Sequence, residues 1–240
     1  MFARRIILTG ATGGIGRAVA ERLGRGGAVL GLIGRRAEAL EELAAGLGAR
    51  AFAGDLTEES FVQSLSARVS EMWREGPDVL VNNAGAFELA PFSETTPETF
   101  EELLAVNLRA PFELTRVWLP AMIERGSGHI VNIGSIAGRV AFAGNAAYSA
   151  SKFGLRGLHE VLVEELRGTG VRVTWVEPSA VDTPLWDRFD PDRRGDLPSR
   201  ADMLAPETVA EAVYFAIAQP ENVSVEEIVI RTNPAASGNL

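Results

Sequence analysis

The side chains best suited to proton chemistry in this sequence are a tyrosine and a lysine four residues apart, Tyr148 and Lys152. Residues at this spacing share one face of a helix, so the phenol and the ammonium could point into one cleft. A free tyrosine ionises near pH ~10, and a base that works near neutrality needs its pKa lowered by ~3 units, which a neighbouring cation could supply. Lys152 is the single lysine among 23 basic residues, which favours a functional pair over an exposed polar pair.

A glycine-rich turn, Thr9–Gly16, joins a predicted strand to a predicted helix. Glycines allow a tight turn there and let backbone N–H groups approach a pyrophosphate at the helix N-terminus. A dinucleotide site is the functional interpretation. A turn packed with small residues is the alternative that the glycines alone leave open. The candidate cofactor contacts in this turn are Gly10, Thr12, Gly13, Gly14, Ile15 and Gly16.

These residues need a scaffold that brings strand ends together, and the hydrophobic pattern predicts one. Strands are expected at 5–9, 28–33, 49–53, 78–81, 129–133, 171–176 and 227–231, separated by helical patterns. The runs at 6–8, 79–81 and 130–131 lack polar alternation, as buried central strands do. We therefore expect one α/β domain over residues 1–240, a Rossmann-type doubly wound parallel sheet of about seven strands with helices on both faces.

Several residues also predict where helices begin and bend. Thr57 is a candidate N-cap for the third helix, and Thr96 followed by Pro97 is a candidate start for the long helical stretch after the fourth strand. Pro111 and Pro120 should bend or divide that stretch, because proline lacks the backbone N–H and its ring clashes with the preceding turn.

Composition excludes several classes of function. The net charge of −9 argues against binding to nucleic acid, which depends on many basic groups. No apolar run approaches the roughly 20 residues of a bilayer-spanning helix, so neither a membrane protein nor a secreted one is expected. The absence of cysteine excludes disulfides and thiolate chemistry, and His129 and His159 have no metal-ligand spacing, so no metal site is predicted. A cytoplasmic location is the expectation.

Three motifs occur in order along the chain: the glycine turn, Asn82-Asn83-Ala84-Gly85, and Ser135 followed by Tyr148 and Lys152. With these motifs the sequence resembles the short-chain dehydrogenase/reductase family over almost its whole length. In that family a Thr-Gly-x3-Gly-x-Gly turn binds the cofactor and a serine precedes Tyr-x3-Lys by about a dozen residues. The resemblance implies an enzyme acting on CH–OH and C=O groups, which transfers a hydride between a nicotinamide cofactor and a small carbonyl or alcohol substrate.

The resemblance assigns four catalytic roles. Tyr148 would be the general acid and base, and Lys152 would lower its pKa and hold the nicotinamide ribose. Ser135 would position the substrate oxygen, and Asn107 would hold a water that completes a proton relay. Without the resemblance Ser135 is an ordinary loop serine. Asparagine is unfavourable inside a helix, which slightly favours a functional role for Asn107.

Charge at the end of the second strand predicts the cofactor. NAD-specific members usually carry an acid about twenty residues after the glycine turn, whereas this sequence reads Gly34-Arg35-Arg36. Two guanidiniums favour a 2′-phosphate, so NADP(H) is the predicted cofactor and NAD(H) stays open. A solvated helix start is the alternative for these arginines. Gly13 weakens the prediction, because many NADP-using relatives carry another basic residue there.

The resemblance implies further cofactor contacts at other strand ends. One pair would meet the adenine ring, the Asn-Asn-Ala-Gly loop would face the adenosine, and a third segment would hold the nicotinamide carboxamide. These contacts are Asp55 and Leu56, then Asn83, Ala84 and Gly85, then Pro178, Val181 and Thr183. Ser179 replaces the glycine usual in the third segment, which leaves the local backbone conformation open.

The segment at about 184–205 combines Trp186 and Phe189 with a charged stretch, which suits a mobile lid over the substrate. A plain surface loop is the alternative. The substrate pocket is expected to be lined by this segment together with Ile136, Arg139 and Phe142.

Three further expectations concern subgroup, assembly and class. The ending at 231–234 lacks the Asp-Gly-Gly of many relatives and looks more like NADP-dependent reductases of 3-oxo or 3-hydroxy compounds. The resemblance implies a homodimer or homotetramer through the helices around Asn107 and Tyr148. A catalytically silent, dinucleotide-sensing regulatory protein of the same fold is the alternative function. The intact Tyr-x3-Lys set argues against it, because a sensor needs no proton relay.

Overall fold

The structure is a computed structural model that describes residues 4–233. Pro234, the last residue of the 231–234 ending, lies outside that range. Within it, seven strands form one parallel sheet in the order β3-β2-β1-β4-β5-β6-β7. The strands are β1 Arg5–Thr9, β2 Val29–Gly34, β3 Arg50–Ala53, β4 Val79–Asn82, β5 Gly128–Ile133, β6 Val171–Pro178 and β7 Glu227–Ile230. Each predicted strand is found, and its ends differ from the prediction by no more than two residues.

Helices cover both faces of the sheet, which confirms the doubly wound α/β fold. They are α1 Gly14–Arg25, α2 Ala37–Leu47, α3 Glu59–Met72, α4 Pro97–Leu104, α5 Ala110–Glu124, α6 Ala146–Glu165 and α7 Pro206–Ala218. One apolar core includes Val19 and Val213 from α1 and α7. The other includes Leu65 and Trp118 from α3 and α5. The strands between these layers are apolar on both sides, as a covered parallel sheet requires.

The order of the strands sets the position of the cleft. Successive strands are added on one side from β1 to β3 and on the other from β4 onward, so a crevice opens where the carboxyl ends of β1 and β4 diverge. Thr9 joins these two ends, because its buried hydroxyl accepts hydrogen bonds of 2.9 Å from the backbone N–H groups of Asn83 and Ala84. The glycine turn after β1 and the loop after β4 are therefore held together.

Two of the predicted helix starts have different outcomes. Thr96 caps α4 by accepting a 3.2 Å bond from the Thr99 N–H, as expected. The prediction for Thr57 is wrong, since α3 begins only at Glu59. The Thr57 hydroxyl instead donates to the Asp55 carboxylate at 2.8 Å, so a turn after β3 takes the side chain that the cap would have used.

The long helical stretch is divided, but not simply at its prolines. A π-helical turn, Ala105–Arg109, separates α4 from α5, and Pro111 lies in the first turn of α5. The proline ring crowds the carbonyl of residue 107, and a wider turn relieves that contact. Pro120 lies inside α5 without ending it. The wide turn places Asn107 in the fully buried interior.

None of the helices within residues 4–233 has the length and apolar character required to cross a bilayer.

Candidate active site

A cleft of about 400 Å³ runs along the carboxyl ends of the strands and collects most of the predicted site residues. Its walls include all six predicted residues of the glycine turn, both arginines at 35–36, and Asp55 with Leu56. They also include residues 83–85, Tyr148, Lys152 and Thr183. Four predicted residues are not among those that line the cleft, namely Asn107, Ser135, Pro178 and Val181.

The glycine turn has the shape of a cradle that side chains would fill. Gly10 has a φ of +67°, and a Cβ there would lie 2.8 Å from the Ala84 Cα. A Cβ on Gly16 would lie 2.0 Å from the carbonyl oxygen of Gly10. The first turn of α1 has no acidic residue and no side-chain cap. Its N–H groups therefore face the cleft with a partial positive charge, an arrangement that fits a pyrophosphate.

Opposite charges meet at the end of the cleft formed by β2 and β3. Arg35 lies 3.8 Å from the Asp55 carboxylate, and the Arg36 guanidinium donates to the carbonyl of Thr12 in the glycine turn. Burial acts to raise the pKa of Asp55, but hydrogen bonds from Thr57 and the charge of Arg35 outweigh it, so the pKa lies below its usual value. Both guanidiniums remain at the wall of the cleft, where they could hold an added phosphate.

Tyr148 and Lys152 lie on the face of α6 that closes the other end of the cleft. The Lys152 Nζ donates to the carbonyl of Ile133 at 3.0 Å and is 5.9 Å from the centre of the Tyr148 ring. Burial lowers the pKa of Lys152 to about 8. Burial also raises the pKa of Tyr148, while a hydrogen bond with Ser135 acts to lower it. Burial outweighs the Ser135 hydrogen bond, so the pKa of Tyr148 lies above its usual value and Tyr148 is a phenol near neutral pH, which differs from the lowering expected from a neighbouring lysine.

Ser135 follows β5 and faces Tyr148 from an extended backbone. Its hydroxyl oxygen accepts a 3.1 Å bond from the Ala137 N–H, and its carbonyl accepts a 2.9 Å bond from the Gly138 N–H. A single turn of 3₁₀ helix, Ile136–Gly138, therefore fixes where the hydroxyl lies. The structure places the serine beside the tyrosine, as the resemblance implies.

Asn107 ties three parts of the site together through its amide. The Oδ1 accepts from the Ala86 N–H at 2.8 Å, and the Nδ2 donates to the Ala86 carbonyl and to the Ser151 hydroxyl, both at 2.9 Å. Three of the four hydrogen-bonding positions of the amide are thus used by protein groups. The side chain joins the loop after β4 to α6, one residue before Lys152, and holds the two at a fixed spacing.

The segment after β6 reaches the cleft through Thr183. Its Cγ2 atom lies 2.6 Å from the position that a Cβ on Gly14 would occupy, so this segment packs directly on the glycine turn. Pro178 is the last residue of β6, and the Val181 carbonyl accepts a 3.1 Å bond from the Trp186 indole. Among the described non-glycine residues only Asp190 has a positive φ, so Ser179 adopts its backbone conformation without the freedom of glycine.

An aromatic cluster lies over Tyr148. The ring of Phe87 is 4.8 Å from the Tyr148 ring, 5.0 Å from Trp186 and 5.4 Å from Phe189, measured between centres. Arg188 fastens this arrangement by donating to the Phe87 carbonyl and by pairing with Glu88 at 2.8 Å. Phe87 was not predicted as a site residue, although its place just after the Asn-Asn-Ala-Gly motif could have indicated it.

Two residues expected in the substrate pocket lie elsewhere. Arg139 points away and pairs with the carboxylates of Glu177 and Glu227. Phe142 lines a separate surface depression together with Phe92 and Phe100. The expectation for both is wrong, because the loop that carries them turns outward after the 3₁₀ turn.

The two histidines are buried, and neither lines the cleft. Burial lowers the pKa of His159 to about 4 and that of His129 well below its usual value, so both are neutral near pH 7. Within residues 4–233 no group of three or more His, Asp or Glu side chains is placed to hold a metal ion.

Comparison with known proteins points in one direction. A family model described as short chain dehydrogenase matches residues 4–194. An NADP-dependent 3-hydroxy acid dehydrogenase, YdfG of Salmonella typhi, is 35% identical over 230 residues, which cover 93% of this chain and 92% of the relative.

Solved structures give the same result. The closed form of a serine dehydrogenase complexed with NADP+ has a TM-score of 0.86 and 31% identity, and the match covers 98% of each chain. A metagenomic short-chain oxidoreductase in complex with NADP has a TM-score of 0.82 and 33% identity, covering 97% of this chain and 98% of that one. The chain therefore belongs to the short-chain dehydrogenase/reductase family and is an NAD(P)-dependent oxidoreductase acting on CH–OH and C=O groups.

Proposed function

We propose that this chain transfers a hydride between NADP(H) and a small carbonyl or alcohol substrate, with Tyr148 as the general acid and base. The observation that carries the proposal is the placement of Tyr148, which shares one cleft with the glycine turn and has Ser135 beside it and Lys152 one helical turn away. When bound, the nicotinamide supplies or accepts the hydride. The protein has to hold the substrate oxygen and move one proton.

Tyr148 is suited to donate that proton in the reductive direction. Because burial raises its pKa, the phenol is protonated at neutral pH and can pass its proton to a carbonyl oxygen that becomes an alcohol. The Ser135 hydroxyl, which already bonds with Tyr148, would hold the same oxygen. Lys152 keeps a positive charge below a pH of about 8 and would stabilise the phenolate left behind.

Asn107 supports these groups from behind. Its bonds to Ala86 and Ser151 hold the loop after β4 at a fixed distance from α6. A Cβ on Gly85 would lie 3.3 Å from the Asn107 Oδ1, so the backbone of this loop packs closely against the Asn107 side chain. We propose that Asn107 positions the lysine through its bond to Ser151, and the relay water that the resemblance assigns to it stays a prediction.

NADP(H) is the proposed cofactor because Arg35 and Arg36 stand at the end of β2 and line the cleft. The similarity to an NADP-dependent relative and to structures complexed with NADP supports this choice. The test is the Kd of NADPH and of NADH for the chain and for Arg36→Leu, measured by nicotinamide fluorescence. We expect the substitution to raise the Kd of NADPH about tenfold or more and to leave the Kd of NADH almost unchanged. Equal weakening of both would contradict the role in phosphate binding.

We also propose that the segment at 184–205 is a lid over the substrate, within one catalytic domain. Trp186 and Phe189 pack on Phe87 above Tyr148, where they would keep water away from the reacting atoms. Arg200, near the end of the segment, pairs with Asp187 near its beginning at 2.6 Å and with Asp182, which precedes the segment, at 2.5 Å. The lid would thus move as a unit.

The substrates to test first are 3-hydroxy acids, including serine, because two similar proteins carry those names. A panel of these acids with NADP+, and of ketones and aldehydes with NADPH, would be followed by absorbance of the reduced cofactor. We expect turnover on at least one member. Tight binding of NADPH without turnover on the whole panel would favour the dinucleotide-sensing alternative.

A cytoplasmic homodimer or homotetramer completes the proposal. Phe112, Phe153 and Val161 expose large apolar side chains on α5 and α6, close to the helices expected at the interface. Light scattering that gives the mass of a monomer would contradict it.

A further inference from the structure

A buried carboxylate lies behind the candidate active site and outside the cleft. Glu177 is on β6, and its side chain is 0% exposed. A carboxylate without water needs cations and hydrogen-bond donors nearby, because its loss of hydration is costly. The groups that surround it show which parts of the molecule it connects.

Four side chains donate to Glu177. Arg139 approaches both carboxylate oxygens at 3.1 and 3.2 Å, and Arg156 approaches one of them at 2.9 Å. The Trp175 indole donates at 3.1 Å and Arg231 at 3.3 Å. One carboxylate therefore joins a loop, a helix and the ends of two neighbouring strands.

Two of these partners belong to the elements that carry the candidate catalytic groups. Arg139 directly follows the 3₁₀ turn Ile136–Gly138, which Ser135 caps. Arg156 lies on α6, four residues after Lys152 and eight after Tyr148, so the three share one face of the helix. Glu177 is thus bonded to the loop that carries the serine through one arginine and to the helix that carries the tyrosine through the other.

The contact between these two elements leaves no free space. A Cβ on Gly138 would lie 2.8 Å from the Lys152 carbonyl oxygen, and a Cβ on Gly134 would lie 2.1 Å from the Trp175 ring. The loop is therefore pressed against α6 on one side and against an indole bonded to Glu177 on the other. Atoms packed this closely transmit any displacement of the anchor to the serine.

We infer that Glu177, through Arg139 and Arg156, is a positioning residue that sets the Ser135 hydroxyl against the Tyr148 phenol. The inference deepens the proposed function and rests on it for the roles of these two hydroxyls. It differs from simple neutralisation of a buried charge, because it requires particular arginines. Arg231 provides the comparison, since it binds the same carboxylate and is attached to neither the serine loop nor α6.

The experiment compares Arg139→Met with the matched control Arg231→Met. Turnover and KM are measured with NADPH and the best substrate from the carbonyl panel, and the Kd of NADPH is measured separately. A second readout is the ultraviolet titration of Tyr148, made in a Tyr214→Phe background because the chain has two tyrosines. This titration needs no turnover.

We expect Arg139→Met to lower kcat about tenfold or more while NADPH binding changes by less than about twofold, because the catalytic geometry is lost and the cofactor cradle is not. The Tyr148 titration should move to higher pH, in the direction given by Ser135→Ala, since the serine hydrogen bond favours the phenolate. Arg231→Met should leave both kcat and the titration within error.

Equal effects of the two arginine variants, or a folded Arg139→Met with unchanged kcat and titration, would overturn the inference. If Arg139→Met does not fold, Arg139→Lys keeps the charge but loses the forked contact, and it should give the same shifts with smaller size. A chain without turnover on any substrate would remove the proposed function. The titration would still decide whether Glu177 positions the serine.

Discussion

The helix α6 carries two cations a single turn apart, a buried lysine and a partly exposed arginine, and their surroundings differ. Lys152 is 5% exposed and donates to a backbone carbonyl, and no ion pair of its ammonium is found within residues 4–233. Arg156 pairs with Glu160, Glu177 and Glu227 at about 3 Å. The first cation lines the cleft and the second lies behind it.

These surroundings affect the charge of the lysine and the position of the arginine. A buried ammonium without a counter-charge is less stable in its charged form, so its pKa falls to about 8, within the range in which proteins work. A guanidinium among carboxylates stays charged and keeps its place. The turn of α6 that carries Lys152 is thus adjustable in charge, and the next turn, which carries Arg156, is fixed in position.

The largest effect is expected on the cleft side of the helix, in Tyr148→Phe, one turn before Lys152. The variant keeps the ring that packs against Phe87 and loses the transferable proton, so turnover should fall about 10²- to 10⁴-fold. Steady-state kinetics with NADPH would measure it. The Kd of NADPH serves as control and should change little. Full turnover in the variant would remove Tyr148 from the mechanism.

The second largest effect is expected at the carboxylate that holds Arg156 in place. Glu177→Gln removes the charge that Arg139 and Arg156 share, and we expect the free energy of unfolding to fall by about 3 kcal/mol. Urea unfolding followed by tryptophan fluorescence would measure the change. A variant as stable as the parent would show that the charge of Glu177 does not stabilise Arg139 and Arg156 in the fold.

The third prediction has the opposite sign. Lys152→Met should raise the free energy of unfolding at pH 7 by about 2 kcal/mol while it abolishes turnover, because the buried charge is removed at the loss of one hydrogen bond to Ile133.

This gain should depend on pH in a defined direction. The pKa of Lys152 falls from 10.5 in the unfolded chain to about 8 in the folded one, so the unfolded chain binds more protons between these values. The free energy of unfolding of the parent therefore rises as Lys152 loses its proton between about pH 8 and 10.5. Above that range Lys152→Met should no longer be more stable than the parent. Urea midpoints across this range test the sign, and a constant difference would contradict it.

The smallest effect is expected at an ion pair exposed to solvent. Arg167 and Glu164 lie 2.8 Å apart at the end of α6, with side chains that are 61% and 70% exposed. Glu164→Gln should leave the unfolding midpoint within error, because water screens such pairs. A loss as large as that of Glu177→Gln would mean that burial does not govern the comparison.

The sequence was sufficient to predict the strands of the sheet and the residues that line the cleft. Apolar runs such as 6–8 and 79–81 are buried strands, and the loops that follow them converge because parallel strands end at one edge. Tyr148 and Lys152 share a helix face because four residues make about one turn. These features depend on local periodicity, which a sequence displays directly.

The rest depends on contacts between distant segments. Glu177 is a lone acid at the end of a strand until Arg139 and Arg156 meet it, 38 and 21 residues away. Thr57 had a suitable type for a cap and instead bonded Asp55. Phe142 was expected in the substrate pocket and lines a separate depression, because closeness along the chain to Ser135 does not give the direction of a loop. Only the folded arrangement decides such cases.

The lone lysine has a consequence for covalent labelling. Its amine is the one primary amine among the side chains, it opens on the cleft, and its pKa of about 8 leaves a reactive fraction unprotonated under mild conditions. An acylating reagent that modifies a side chain of this protein by its amine therefore modifies Lys152. The rate of that side-chain modification, and its protection by a dinucleotide, measures access to the interior of the cleft with no background from other side-chain amines.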